Sequence, residues 1–164
     1  LPNDPNIIMA AEQVKTSTNK KLQVIPSKNI PQGISALLSA NSDADFSSNI
    51  RQMSEATRRV KTGQITKAIR PTNLKGHQIK KGQLIGILEN DLAASGQTLK
   101  AIFRGLLKKM DVPEGGIITV YYGENATKEE ADELAHWATS NFLGTDIEVL
   151  NGGQPHSHFI ISVE

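Results

Sequence analysis

Between Arg58 and Leu88 the chain carries Arg58, Arg59, Lys61, Lys67, Arg70, Lys75, Lys80 and Lys81, and not one Asp or Glu. The same stretch, RRVKTGQITKAIRPTNLKGHQIKKGQLIGIL, is interrupted by pairs that suit tight turns, Lys75-Gly76 and Lys81-Gly82. Residues 64–69 alternate as a strand does, with Ile65 and Ile69 among polar or small neighbours. Residues 83–88 read as a second strand, and Asn90-Asp91 turns the chain into a third at 92–94. Strands this close in sequence pair antiparallel, so the centre of the chain is predicted to be a cationic β-meander. Gly86, inside the second strand, marks close backbone packing.

The flanks read as helices and further strands. Asp4 caps and Pro5 opens a helix to about Val14, with Ile7, Ile8, Ala11 and Val14 inward. Leu22 to Ile25 is an apolar strand stopped by Pro26, and a helix follows from Pro31 to Ala40. Ser42 and Asp45 form a capping-box-like pair before a helix that buries Phe46, Ile50, Met53 and Val60. Leu99, Ile102, Phe103, Leu106, Leu107 and Met110 make the cleanest amphipathic stripe, ended by Pro113. Ile117 to Tyr122 is a continuous apolar strand, internal to a sheet. Thr127 with Glu130 is a capping box for the next helix, and strands at 147–150 and 159–163 finish the chain.

Composition narrows the chemistry. The 164 residues suffice for one domain, with two subdomains allowed. There is no cysteine, which excludes disulfides, thiolate zinc sites and cysteine nucleophiles within this chain. No run is long enough to span a membrane, and Leu-Pro-Asn-Asp-Pro is no signal peptide. The missing initial Met suggests a piece excised from a longer protein. The net charge is only +1, but it is unevenly spread: Asp111 to Glu148 holds nine acids and one Lys. That asymmetry either steers a charged partner or is two differently charged solvated faces. Nucleic acid is not the expected partner, because no aromatic residue lies between Phe46 and Phe103 to stack bases.

Catalytic and cofactor motifs are missing. Neither a phosphate-binding G-x-x-x-x-G-K-[ST] nor G-x-G-x-x-G occurs, and Gly115-Gly116 and Gly152-Gly153 are short turns. His156 and His158 would share a face if they lay in a strand, but zinc needs a third ligand, so no metal is expected. Ser27, between Pro26 and Pro31, is the one serine in a position to attract attention, and a turn-capping role explains it.

Four stretches together resemble one family: LPNDPNIIMAAEQ, VIPSKNIPQGISALL, VKTGQITKAIR with the following KKGQLIGIL, and GGQP with the terminal IISVE. They look like the C-terminal domain of the ATP-dependent subunit of bacterial fatty acid kinase, in order and approximate spacing over essentially the whole chain. The resemblance implies an α/β fold of the DegV-like (EDD) type. In it, parallel strands near the start give way to a smaller sheet holding the 64–94 meander, and upstream strands of the full domain are lacking. It implies a cytoplasmic, non-catalytic domain that recognises a DegV-type fatty-acid carrier protein, alongside other domains of the same kinase. ATP and Mg belong to the parent protein's kinase domain, and no cofactor is expected in this fragment. DegV-type carriers hold the lipid carboxylate with a Thr-His-x-Gly-Pro-Gly-like segment. GGQPHSHFIISVE lacks that segment, which argues against lipid binding by this chain.

Two faces are candidates for docking. One is cationic: Arg58, Arg59, Lys61, Lys67, Arg70, Lys80 and Lys81. The other is the acidic helix start: Glu129, Glu130, Asp132 and Glu133. A lipid-binding module, a fragment supplying residues to the kinase site, and a structural or dimerising domain remain as alternatives.

Overall fold

A computed structural model of the chain describes residues 1–74, 77–89 and 91–164. The expected turn at Lys75-Gly76 and the Asn90 half of the next one fall outside the described residues. The chain divides into two compact units, Leu1–Val60 and Lys61–Glu164.

The first unit contains the helices α1 (Pro5–Val14), α2 (Ile30–Leu38) and α3 (Phe46–Arg59). Each starts on a side-chain cap that satisfies otherwise orphaned amides. Asp4 accepts from the Asn6 N–H at 2.8 Å, and Asn29 from that of Gln32 at 3.0 Å. Asp45 accepts from Ser47 and Ser48. Asp45 is therefore itself the cap of α3, not the third residue of a box begun by Ser42. Ser27 is fully buried, and its Oγ donates to the Pro2 carbonyl at 2.7 Å. It ties two loops together across 25 residues of sequence, rather than capping its own turn as expected.

The expected strand at Leu22–Ile25 is not one: the segment lies between α1 and α2, without a strand partner among the described residues. Several residues expected inward are exposed, among them Ile7, Val14 and Phe46.

The second unit is a six-stranded sheet with two helices on one face. Its strands are β1 (Lys61–Lys67), β4 (Leu84–Leu88), β5 (Asp91–Gly96), β6 (Ile117–Tyr122), β7 (Asp146–Asn151) and β8 (Phe159–Val163), in the order β5-β4-β1-β8-β6-β7. Two short strands, β2 (Thr72–Leu74) and β3 (His77–Ile79), pair separately. The meander is antiparallel as expected, but β1, β4 and β5 belong to the main sheet, joined through β8 to the C-terminal strands. Among the described residues the one parallel pair is β6–β7, near the end of the chain rather than near its start. The connection between them is the helix that a parallel crossover requires. β8 then runs antiparallel between β1 and β6. β6 is thus internal, as its largely apolar sequence IITVYY predicts.

The helices are α4 (Leu99–Met110) and α5 (Lys128–Asn141). α4 buries Ile102, Phe103, Leu106, Leu107 and Met110 completely. They meet Ile65, Ile118, Val120, Phe159 and Ile161 in one core, with alternate residues of each strand pointing in. Trp137 of α5 packs edge-on to Phe103 and Phe142, with ring centroids 6.0 and 6.2 Å apart, fixing α5 beside α4. The Thr127–Glu130 capping box is present, both bonds formed. Among the described residues no helix is long and apolar enough to cross a membrane.

Gly86 shows how closely α4 lies on the sheet. A Cβ there would stand 2.8 Å from Ile102 Cγ2 and 3.0 Å from Leu106 Cγ. Replacing a strand glycine by alanine ordinarily relieves chain entropy by about 0.5–1 kcal/mol. Here overpacking of about 1–3 kcal/mol outweighs it. Gly86→Ala is expected to lower the urea midpoint of unfolding. An unchanged or raised midpoint would show that the helix has room to move.

Candidate functional site

The sheet divides the basic block by strand length. Lys61 and Lys67 begin and end β1, about 20 Å apart for six strand residues. At the starting end, Lys61 faces Asp111 at 3.9 Å. Arg58 and Arg59 close α3 in the first unit, where Arg59 reaches Glu55 at 4.0 Å. At the other end, the Ala68 N–H donates to the Gln83 carbonyl and the Gly82 N–H to the Ala68 carbonyl, at 2.9 and 2.7 Å. That pairing brings the turn carrying Lys80 and Lys81 alongside Lys67 and Arg70. All four are exposed, and none has an ion-pair partner among the described residues.

A groove of about 550 Å³ opens at this end. Ile85 and Ile87 line it from the sheet face opposite α4, and Lys67 and Arg70 stand on its rim. Ile69, between those two cations, is 88% exposed. Isolated exposed apolar residues are ordinary; this one adjoins an apolar floor and a cationic rim. The alternating strand pattern would place Ile69 inside. The signal against it is Arg70-Pro71, which stops the alternation.

The opposite wall is the 152–158 loop, which holds the GGQP motif. The motif acts structurally. Gln154 Nε2 donates to the Tyr121 carbonyl at 3.0 Å, and the Gln154 carbonyl accepts from the Glu124 N–H at 3.1 Å. Gly123 lets the loop close over the end of β6: a Cβ there would collide with the carbonyl oxygens of Gln154 and Ser157. Asn125 Nδ2 donates to the Pro155 carbonyl, and the Thr66 hydroxyl to that of His156 at 3.0 Å. The result is a braced wall that presents Pro155 and His156 to the groove. His156 and His158 lie in this loop rather than in a strand. Among the described residues no His, Asp and Glu group has metal-binding geometry.

The acidic residues form a second trough, of about 850 Å³, between the start of α4 and α5. It brings together Glu129, Glu130, Asp132 and Glu133 with Lys100 and Trp137. Two of the acids are already engaged: Glu130 accepts from the Thr127 N–H, and Asp132 pairs with Lys128 at 2.7 Å. Glu129 and Glu133 have no ion-pair partner among the described residues. The trough is therefore less charged in effect than its sequence suggests, whereas the groove keeps its cations free.

Burial holds the His158 imidazole below its usual titration range, and the Lys67 charge adds to that, against a smaller opposing effect from Glu130. Its Nδ1 is buried with no hydrogen-bond partner among the described residues. A base depressed on folding stays neutral while the unfolded chain takes up a proton near pH 6.5. Its contribution to stability is complete above that pH and is lost as pH falls through 6.5 towards the folded value. NMR titration is expected to show His158 protonating below 6.5, and Lys67→Met is expected to raise its midpoint. A midpoint at or above 6.5 would contradict the buried placement.

Comparison with known proteins places this geometry. Residues 1–164 match the family model for FakA-like C-terminal domains of fatty acid kinase. Protein YloV of Bacillus subtilis is 38% identical over the whole chain, and an uncharacterised protein of Staphylococcus aureus (strain USA300) is 36% identical. The chain spans 30% of the length of each of these curated relatives. Among solved structures, the fatty acid kinase B3 protein of Streptococcus pneumoniae, loaded with linoleic acid, superposes with a TM-score of 0.66 at 13% identity. That match covers 97% of this chain and 66% of the other. A DegV family protein of Eubacterium eligens loaded with heptadecanoic acid gives 0.66 at 17%, covering 95% and 66%. At such identities the likeness establishes the fold, which is DegV-like as expected. The chain belongs to the FakA-like C-terminal family of fatty acid kinase proteins.

Proposed function

We propose that this domain recognises a DegV-type fatty-acid carrier protein. It docks the carrier so that the carboxylate of its bound fatty acid meets ATP and Mg on another domain of a cytoplasmic fatty acid kinase. The domain supplies position rather than chemistry: docking raises the effective concentration of the carboxylate at a distant phosphoryl donor. One observation argues against a lipid site in the α4 layer of the sheet. The chain has a fold shared with fatty-acid-bound DegV proteins, yet the space between α4 and its sheet is filled. Five α4 side chains there are fully buried, and Gly86 has no room for a methyl group. No acyl chain fits between them.

The groove bounded by Lys67, Arg70, Ile69 and Pro155 is the docking face we favour. It combines free cations, an apolar floor and a braced wall, and it suits an acidic partner surface. Charges on such a rim act mainly on association rate and its salt dependence. The combined reversal Lys67→Glu, Arg70→Glu, Lys80→Glu is expected to weaken carrier binding by about tenfold or more, ~1.4 kcal/mol, and to flatten its salt dependence. Glu129→Lys with Glu133→Lys is expected to leave binding unchanged. Calorimetry at two salt concentrations measures both. If only the acidic reversal weakens binding, docking stands and moves to the α5 trough. If neither does, docking by charge is wrong. Stoichiometric fatty acid bound to the domain itself, detected by native mass spectrometry, would favour the lipid-binding reading.

A further inference from the structure

β7 is one edge of the six-stranded sheet and pairs with β6 alone. The Asp146 N–H donates to the Gly116 carbonyl and the Gly152 N–H to that of Tyr122, both at 2.9 Å. The even-numbered residues of β7 therefore turn their backbone groups to β6, and Ile147, Val149 and Asn151 turn theirs outward. Among the described residues nothing bonds to those outward groups. The strand has six residues, DIEVLN, with no proline, lysine or bulge. Folds usually blunt or cover an edge of this kind, because it invites a further strand. The opposite edge, β5, is blunted. Its register with β4 slips at Gly86 and Ile87, leaving Ala93 without an opposite residue, and Lys109 Nζ donates to the Ala93 carbonyl at 2.5 Å.

We propose that the β7 edge pairs with the β7 edge of a second copy of this chain, antiparallel about a two-fold axis through Val149. The side chains select that partner and that register. Ile147 and Val149 pack on the core, while Asp146, Glu148 and Leu150 are exposed on the other face of the sheet. Centred on Val149, the two strands overlap fully: Ile147 meets Asn151, and Glu148 meets Leu150, which is 45% exposed. No like charges stand opposite each other. Centring on Glu148 would set two carboxylates face to face, which is destabilising. Centring on Leu150 would push Ile147 past the end of the partner strand, opposite Gly153. The interface is isologous, so it closes at two copies.

Helix α5 fits the same arrangement independently. It rests on β6 and β7. Strands stand about 4.8 Å apart, so the second copy's α5, placed two strands further on, comes to about 10 Å from this one. Packed helices lie about 8–10 Å apart. The flank of α5 turned away from Trp137, and so from α4, carries Ala135 and Thr139, which are small enough for that approach. The proposal does not depend on carrier recognition.

Disulfide trapping in the full-length protein, with any cysteine elsewhere replaced, tests the register. Glu148 and the partner copy's Leu150 would form a non-hydrogen-bonded pair with Cα atoms about 4.5 Å apart, within reach of a disulfide. Each residue would lie about 7–8 Å from its own copy, at or beyond that reach. Glu148→Cys protein mixed with Leu150→Cys protein is expected to cross-link about tenfold faster than either variant alone. Equal rates in the three samples overturn the proposal. Hydrogen–deuterium exchange supplies a second readout. The amides of Ile147, Val149 and Asn151 are expected to be protected about 10²-fold, and Leu150→Glu, which sets like charges opposite at both ends of the pairing, is expected to release them. Adding Glu148→Lys to that variant pairs opposite charges and is expected to restore the protection. Free exchange in the unaltered protein overturns the proposal. So does protection that survives Leu150→Glu, because another segment of the polypeptide then covers the edge.

Discussion

Gly63 on β1 and Gly86 on β4 lie beneath α4, and the second unit depends on what they permit. Met110 Sδ would stand 3.3 Å from a Cβ at position 63, and Ile102 Cγ2 2.8 Å from one at 86. The helix consequently sits close enough for its large residues to reach the strands without a void. This contact spans β1, β4 and the helix that follows β5, so it ties the meander to the C-terminal strands within one core. It also leaves no room for a ligand between α4 and its sheet. Dense packing and the absence of an acyl site there are the same physical fact.

The surface features follow from topology. β8 enters between β1 and β6, so the loop before it must cross the ends of both strands. The His158 N–H donates to the Ile65 carbonyl, and the Gly123 N–H to that of His158, both at 2.9 Å. Gly123 and Gly152 provide the clearance for this crossing, and Gln154 fills it with hydrogen bonds. The groove wall is therefore braced by the hydrogen bonds of the folded sheet itself.

Local signals are legible where a single element decides the outcome. The α4 stripe, the Thr127 cap, the apolar β6 and the close approach at Gly86 all follow from residues within a few positions of each other. Long-range pairing is less legible. Whether the meander forms its own sheet turns on β8, nearly a hundred residues after β1, joining them at Ile65 and Phe159. Ser42 and Asp45 both have capping side chains, and only the backbone at 45 decides between them. Leu22–Ile25 reads as a strand from composition. Only Val24 and Ile25 of the four are buried, and among the described residues the segment pairs with no strand. The family is legible because four dispersed motifs coincide, and one of them, GGQP, makes the hydrogen bonds that brace the loop before β8.

The basic block illustrates why a run of charge in sequence is not yet a surface. Eight cations within 31 residues suggest one face, but a seven-residue strand carries its two ends apart by about 20 Å. Beyond about one Debye length, near 8 Å at physiological salt, the two ends act on a partner almost independently. Among the described residues, only the end at Lys67 and Arg70 is joined to an apolar floor and a braced wall. On the docking reading proposed above, charge there would govern how fast a partner arrives, and the groove's shape what stays. Lys61, facing Asp111, has neither feature beside it among the described residues.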